Sequence, residues 1–99
     1  MDKIIVTLEN NFDFQANTVT ENYNAADKSY NLIIIIPLQG DKSLSEIVQN
    51  ITPENLAAVK VEKNGKQIDV ISGYTEIMSV DKNIDLYSQI ITVRAVKPK

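Results

Sequence analysis

The chain has 99 residues, of which 43% are hydrophobic and 23% charged, and its formal net charge is −3. That balance belongs to a foldable domain rather than a disordered segment, and a chain of this length hides roughly 65% of the surface its unfolded form exposes. Cysteine and histidine are both missing, which excludes disulfides, thiolate nucleophiles, Ser-His-Asp or Cys-His machinery and the common transition-metal ligands.

From the N-terminus, Lys3 to Glu9 alternates. Ile4, Val6 and Leu8 share one face and Lys3, Ile5, Thr7 and Glu9 the other, which predicts a half-buried strand. Asn10-Asn11 marks a turn, and Phe12, Phe14 and Ala16 then resume the apolar face. A two-residue loop would set Leu8 opposite Asp13 and bury a charge. The pattern therefore predicts an odd-length loop, with Leu8 opposite Phe14. After Ala16 the apolar phase jumps to Val19 and Tyr23, which predicts a bulge near Asn17. Asn22 to Lys28 is polar and turn-rich. Ser29 to Leu38 follows as a strand. Its unbroken run from Leu32 to Ile36 predicts burial on both faces and a central position, with pairing ending near Pro37, which has no amide to donate.

Gly40-Asp41 turns the chain, and Ser43-Leu44-Ser45-Glu46 matches a capping box. The Ser43 hydroxyl is placed to accept from the Glu46 amide, with the Glu46 carboxylate reaching back to the Ser43 amide. Leu44, Ile47, Val48 and Ile51 form one apolar stripe, so a helix of about nine residues is predicted. A helix this short is unstable alone and must lie on the sheet. Thr52-Pro53-Glu54-Asn55 starts a second helical turn that ends before Ala58. Asn64-Gly65 predicts a hairpin with a two-residue type I′ loop. That register pairs Val61 with Ile68 and Val59 with Val70 on one face, and Lys60 with Asp69 and Glu62 with Gln67 on the other. Ser72-Gly73 breaks the strand. Tyr74 to Val80 is a further strand, Asp81 to Asp85 a turn, and Leu86 to Val96 the last strand, with Tyr87, Ile91, Val93 and Ala95 in one phase. The expected fold is a single α+β domain over residues 1–99. It has one mainly antiparallel sheet of about six strands, in the order β-β-β-α-β-β-β, with one short helix packed on it.

Chemistry-bearing residues are sparse. Asp81-Lys82-Asn83-Ile84-Asp85 opens like a calcium loop, but Leu86 and Thr92 stand where an EF-hand needs glycine and glutamate. A solvated turn explains it better. No spacing among the acidic residues singles out a catalytic pair. No catalytic residue, metal ligand or cofactor is assigned, and the chain is read as not an enzyme. Arg94 is its only arginine, and only Lys97-Pro98-Lys99 is locally basic, as a frayed terminus would be. No nucleic acid is expected as a partner. The longest apolar run is far too short to span a bilayer, so no membrane is expected either. The N-terminal run lacks the apolar core of a secretory signal, which predicts a soluble chain made in the cytoplasm. Protein partners remain. Tyr23 and Tyr30 flank the polar loop and are candidate interface residues. Ile5 and Ile90 fall on the outer phase of their strands, where they are either covered by a second layer or exposed as a contact patch.

The stretch from Ser43 to Ile84 carries Pro53-Glu54-Asn55-Leu56 after the capped helix and Gly73-Tyr74-Thr75 after the strand pair. In this it resembles small proteins encoded in the tail modules of phages and prophages of low-GC Gram-positive bacteria. The likeness covers roughly the second half of the chain closely and the first half by pattern. Many such proteins carry a C-terminal coiled-coil extension; the sequence to Lys99 shows none, which counts against a fibre- or trimer-forming role. The resemblance implies a non-enzymatic, virion-associated or tail-assembly accessory protein. It would bind other virion proteins or a second copy of itself by edge-strand pairing or an apolar sheet face, in the virion or the bacterial host cytoplasm. The alternative is a small host-targeting regulator or inhibitor made by a phage or mobile element.

Overall fold

A computed structural model describes residues 4–38, 42–84 and 88–97. The N-terminal alternation forms β1 (Ile4–Thr7), antiparallel to β2 (Asp13–Ala16). The loop between them is odd in length, as the charge of Asp13 requires. Asn11 takes a left-handed conformation, φ 68, which asparagine tolerates. The loop sets Val6 opposite Phe14, and the Leu8 amide donates to the Phe12 carbonyl at 2.9 Å. The expected Leu8–Phe14 pair is therefore shifted by one step of the same face.

The phase break at Asn17 is a change of sheet rather than a bulge. One residue after β2, β3 (Thr18–Asn24) pairs with β4 (Ser29–Pro37), and the Asn17 amide donates to the Ile35 carbonyl at 2.6 Å. A strand that leaves one sheet for another resets the apolar phase as an inserted residue would. β4 is central, between β3 and β8 (Ser88–Val96). Leu32, Ile34 and Ile36 are buried, whereas Ile33 and Ile35 are only half-buried on the opposite face. Burial on both faces is thus realised on one side alone.

Helix α1 (Leu44–Gln49) begins at Ser43, whose hydroxyl accepts from the Glu46 amide at 3.1 Å. It spans six residues rather than nine. Asn50 stops it, donating from its backbone to Ile47 and from its side chain to the Glu46 carbonyl at 2.9 Å. Ile47 and Ile51 are buried, with Leu44 and Val48 packed beside them, so the predicted stripe faces the core. The Thr52 hydroxyl accepts from the Asn55 amide at 3.2 Å at the start of one 3-10 turn (Asn55–Ala57), which buries Leu56. The helical segment sits against the β1–β2 loop, where Asn10 bonds Asn50 and the Glu9 amide donates to the Asn55 carbonyl.

β5 (Ala58–Lys63) and β6 (Lys66–Ser72) form the expected hairpin, with positive φ at both Asn64 and Gly65. Glu62 faces Gln67 as predicted, but the register then shifts. Val61 faces Asp69, Lys60 faces Val70 and Val59 faces Ile71, so the expected Val61–Ile68, Val59–Val70 and Lys60–Asp69 pairs do not form. One extra residue at Ile68 keeps the turn intact while turning Ile71 into the core. Ile68 and Val70 are left 56% and 44% exposed. β7 (Glu76–Ile84) starts later than expected and runs through Asp81–Ile84, read above as part of a turn. Asp81, Lys82, Asn83 and Ile84 pair with β8 along a sheet edge, where charged side chains are well tolerated. Gly40, Asp41, Asp85, Leu86 and Tyr87 lie outside the described residues.

Among the described residues the fold is mostly antiparallel sheet with a lone short helix, but the strands make two sheets rather than one of about six strands. The orders are β2-β1-β5-β6 and β3-β4-β8-β7, with four strands on either side of the helical segment. A six-residue helix is roughly 9 Å long, whereas six paired strands span roughly 24 Å. Such a helix cannot cover such a sheet, so the second sheet does. Val6, Phe14, Val59, Val61 and Ile71 from one sheet share a core with Leu32, Ile34, Ile36, Ile91, Val93 and Ala95 from the other. The sheets join at two corners, Asn17 between β2 and β3, and Gly73-Tyr74-Thr75 between β6 and β7.

Candidate interaction site

The β3–β4 hairpin sets Tyr23 directly opposite Tyr30, and the two rings pack at 5.0 Å with a 55° tilt. Its turn is held locally. The Asn24 side chain accepts from the Ala26 amide, and Asp27 accepts from the Ser29 amide. Tyr74 reaches the same place from the β6–β7 corner, where Gly73 takes φ 88, a value that favours glycine. Its ring meets Tyr30 edge-on at 6.4 Å. Tyr74 is 2% exposed, Tyr30 half-buried and Tyr23 56% exposed. The three rings therefore grade from core to surface.

Glu21 shares the strand phase of Tyr23. Its carboxylate accepts the Tyr74 hydroxyl proton donor and pairs with the Lys97 ammonium at 2.9 Å. Lys97 Nζ also lies 4.6 Å from the centre of the Tyr30 ring and 5.0 Å from that of Tyr74. Both distances fall within cation–π range. The chain leading to Lys97 is fixed, because the Val96 carbonyl accepts from the Thr75 amide at 2.9 Å. Burial pushes the Tyr74 hydroxyl pKa well up, helped by the hydrogen bond to Glu21 and then by the charges of Glu21 and Tyr30. Tyr74 is thus a neutral donor to a carboxylate that is already engaged by an ammonium. This arrangement holds a cation and stiffens an aromatic surface.

Outside the cluster, Arg94 pairs with Asp27, and the Ser29 hydroxyl donates to that same aspartate at 2.5 Å. The one arginine thus braces the hairpin turn. Ile5 lies on the outer face of the first sheet, opposite Gln15 and Glu62, and is half-buried. Ile90 lies on the outer face of the second, opposite Ile35 and Asn83, and is also half-buried. Of the four residues singled out from sequence, the structure brings Tyr23 and Tyr30 together and leaves Ile5 and Ile90 on separate outer faces. Sequence reasoning missed Glu21, Tyr74 and Lys97 as partners of the pair. Glu21 was detectable, two residues before Tyr23 on one face. Lys97, read as part of a frayed end, is seated on two rings.

Further exposed apolar side chains lie along β6 and β7. Ile68, Val70, Met78 and Ile84 are all at least 44% exposed, on the two strands that end their sheets. Among the described residues, no group of three or more acidic, histidine or cysteine side chains is placed to hold a metal ion. No described helix is long and apolar enough to cross a membrane. No protein-family model matches the chain, and neither the curated proteins nor the solved structures include a significant match to it.

Proposed function

We propose that this chain is a non-enzymatic accessory protein of a phage or prophage particle, associated with the virion or with tail assembly, and that it acts through protein–protein contacts. The observation that carries the contact reading is Tyr23: more than half exposed, yet packed at a tilt against a Tyr30 that is itself held by strand pairing on both sides and by the Tyr74 ring. A large amphipathic ring held rigid before binding loses little freedom on association, which is what a contact anchor requires. The exposed apolar side chains of β6 and β7 support the same reading, since open strand edges invite pairing with another chain. The tail-module resemblance supplies the setting, with another virion protein or a second copy of the chain as partner.

Mass spectrometry of purified virions tests the setting. The chain is expected in washed particles at a fixed ratio to the tail proteins. Its absence from particles, together with retrieval of a host enzyme by the tagged chain, would replace this reading with that of a host-targeting inhibitor.

A further inference from the structure

Lys97 occupies a site that has the parts of an ammonium receptor. Two tyrosine faces, Tyr30 and Tyr74, lie 4.6 and 5.0 Å from its nitrogen, and the Glu21 carboxylate lies 2.9 Å from it. Aromatic faces with a carboxylate are the chemistry that recognises alkylammonium groups. The walls do not depend on Lys97 for their positions. Tyr74 is held by burial and by its bond to Glu21, and Tyr30 by strand pairing on both sides. The occupant reaches in from the end of its strand: β8 ends at Val96, so Lys97 follows the last ladder residue, and its side chain stays 21% exposed. Beside the socket, Tyr23 presents an exposed ring.

We propose that Glu21, Tyr30 and Tyr74 form a docking socket for a lysine side chain of a protein partner, filled in the free protein by Lys97 as an internal competitor. The partner class rests on the protein-contact reading above; the socket itself rests on the geometry. An incoming ammonium would meet a carboxylate with a preformed neutral donor behind it, and Tyr23 would cover the hydrocarbon stem, as rings do for lysine stems.

The test titrates the 99-residue chain with n-butylammonium chloride, against sodium chloride at equal ionic strength, and follows side-chain resonances by NMR. In Lys97→Ala, saturable shifts are expected at Tyr30, Tyr74 and Glu21, several-fold larger at a given concentration than in the wild type. The double variant Lys97→Ala/Glu21→Gln should lose most of that response. In the wild type, high butylammonium should move the Lys97 ε-methylene resonance out of the ring current toward the free-lysine position, a readout that does not depend on the variant folding. A Lys97→Ala chain with no saturable shift, a double variant that responds equally, or a wild-type Lys97 resonance that stays put would each overturn the socket. A chain found in virions but blind to butylammonium loses the socket alone. One that binds butylammonium but is absent from virions loses the virion reading alone.

Discussion

The Glu21–Tyr74 contact sets a quantitative test of whether the aromatic cluster acts as a unit. Glu21→Ala strips a buried hydroxyl of its acceptor, which costs about 1–3 kcal/mol. It also removes the partner of Lys97. With both side chains more than a fifth exposed, that loss is about 0.2–1 kcal/mol. Tyr74→Phe removes the hydroxyl while leaving Glu21 its lysine and some solvent, at a cost of about 1 kcal/mol. In the Tyr74→Phe background no orphaned hydroxyl remains, so Glu21→Ala should then cost only the ion-pair share. The coupling between the two sites is therefore about 1–3 kcal/mol, the share of the orphaned hydroxyl. Urea unfolding of the wild type, both single variants and the double variant measures it directly. In thermal unfolding, each kcal/mol is about 4–8 °C for a domain of this size. If the two effects add within about 0.3 kcal/mol, the hydroxyl finds another partner and the cluster is not a unit.

Two further outcomes follow from the same geometry. Phe14 is fully buried between the sheets, so Phe14→Ala should cost about 3–5 kcal/mol by urea unfolding, and a loss below about 1 kcal/mol would contradict a shared core. Tyr74 should keep its proton above the ordinary tyrosine value of 10.0, because burial and the bond to Glu21 disfavour the phenolate. Above about pH 10 the unfolded chain gives up a proton that the folded chain retains. Its contribution to stability is thus full below that pH and falls away as pH climbs through the raised folded value. Tyrosinate absorbance at about pH 10.5 should match between wild type and Tyr74→Phe while circular dichroism reports a folded chain. An extra tyrosinate in the wild type would count against the buried hydrogen bond.

Much of the local structure was legible in the sequence. The Ser43 cap, the stripe through Ile47 and Ile51, the Asn64-Gly65 turn and the odd loop before Phe12 each follow from chemistry within a few residues. The partition into two sheets was not, because alternation tells which face of a strand is apolar but not which sheet receives it. At Asn17 a change of sheet and a bulge leave the same mark on the pattern. The hairpin register failed for a related reason. Turn and pattern agreed with each other locally, yet the core takes Ile71 and leaves Ile68 and Val70 outside. Tyr23 and Tyr30 could be picked out because they flank one hairpin turn. Tyr74, 53 residues from Glu21, could join them only through the topology.

Tyr23 is the edge of the proposed protein contact, and a photo-crosslinking amino acid at that position tests this in place. Virions assembled with the labelled chain should, after illumination, yield a specific adduct between position 23 and another virion protein or a second copy of the chain. The same label at Asn11, in the exposed loop before β2, should yield far less. Equal crosslinking at both positions, or no adduct at position 23 in particles that contain the chain, would contradict it.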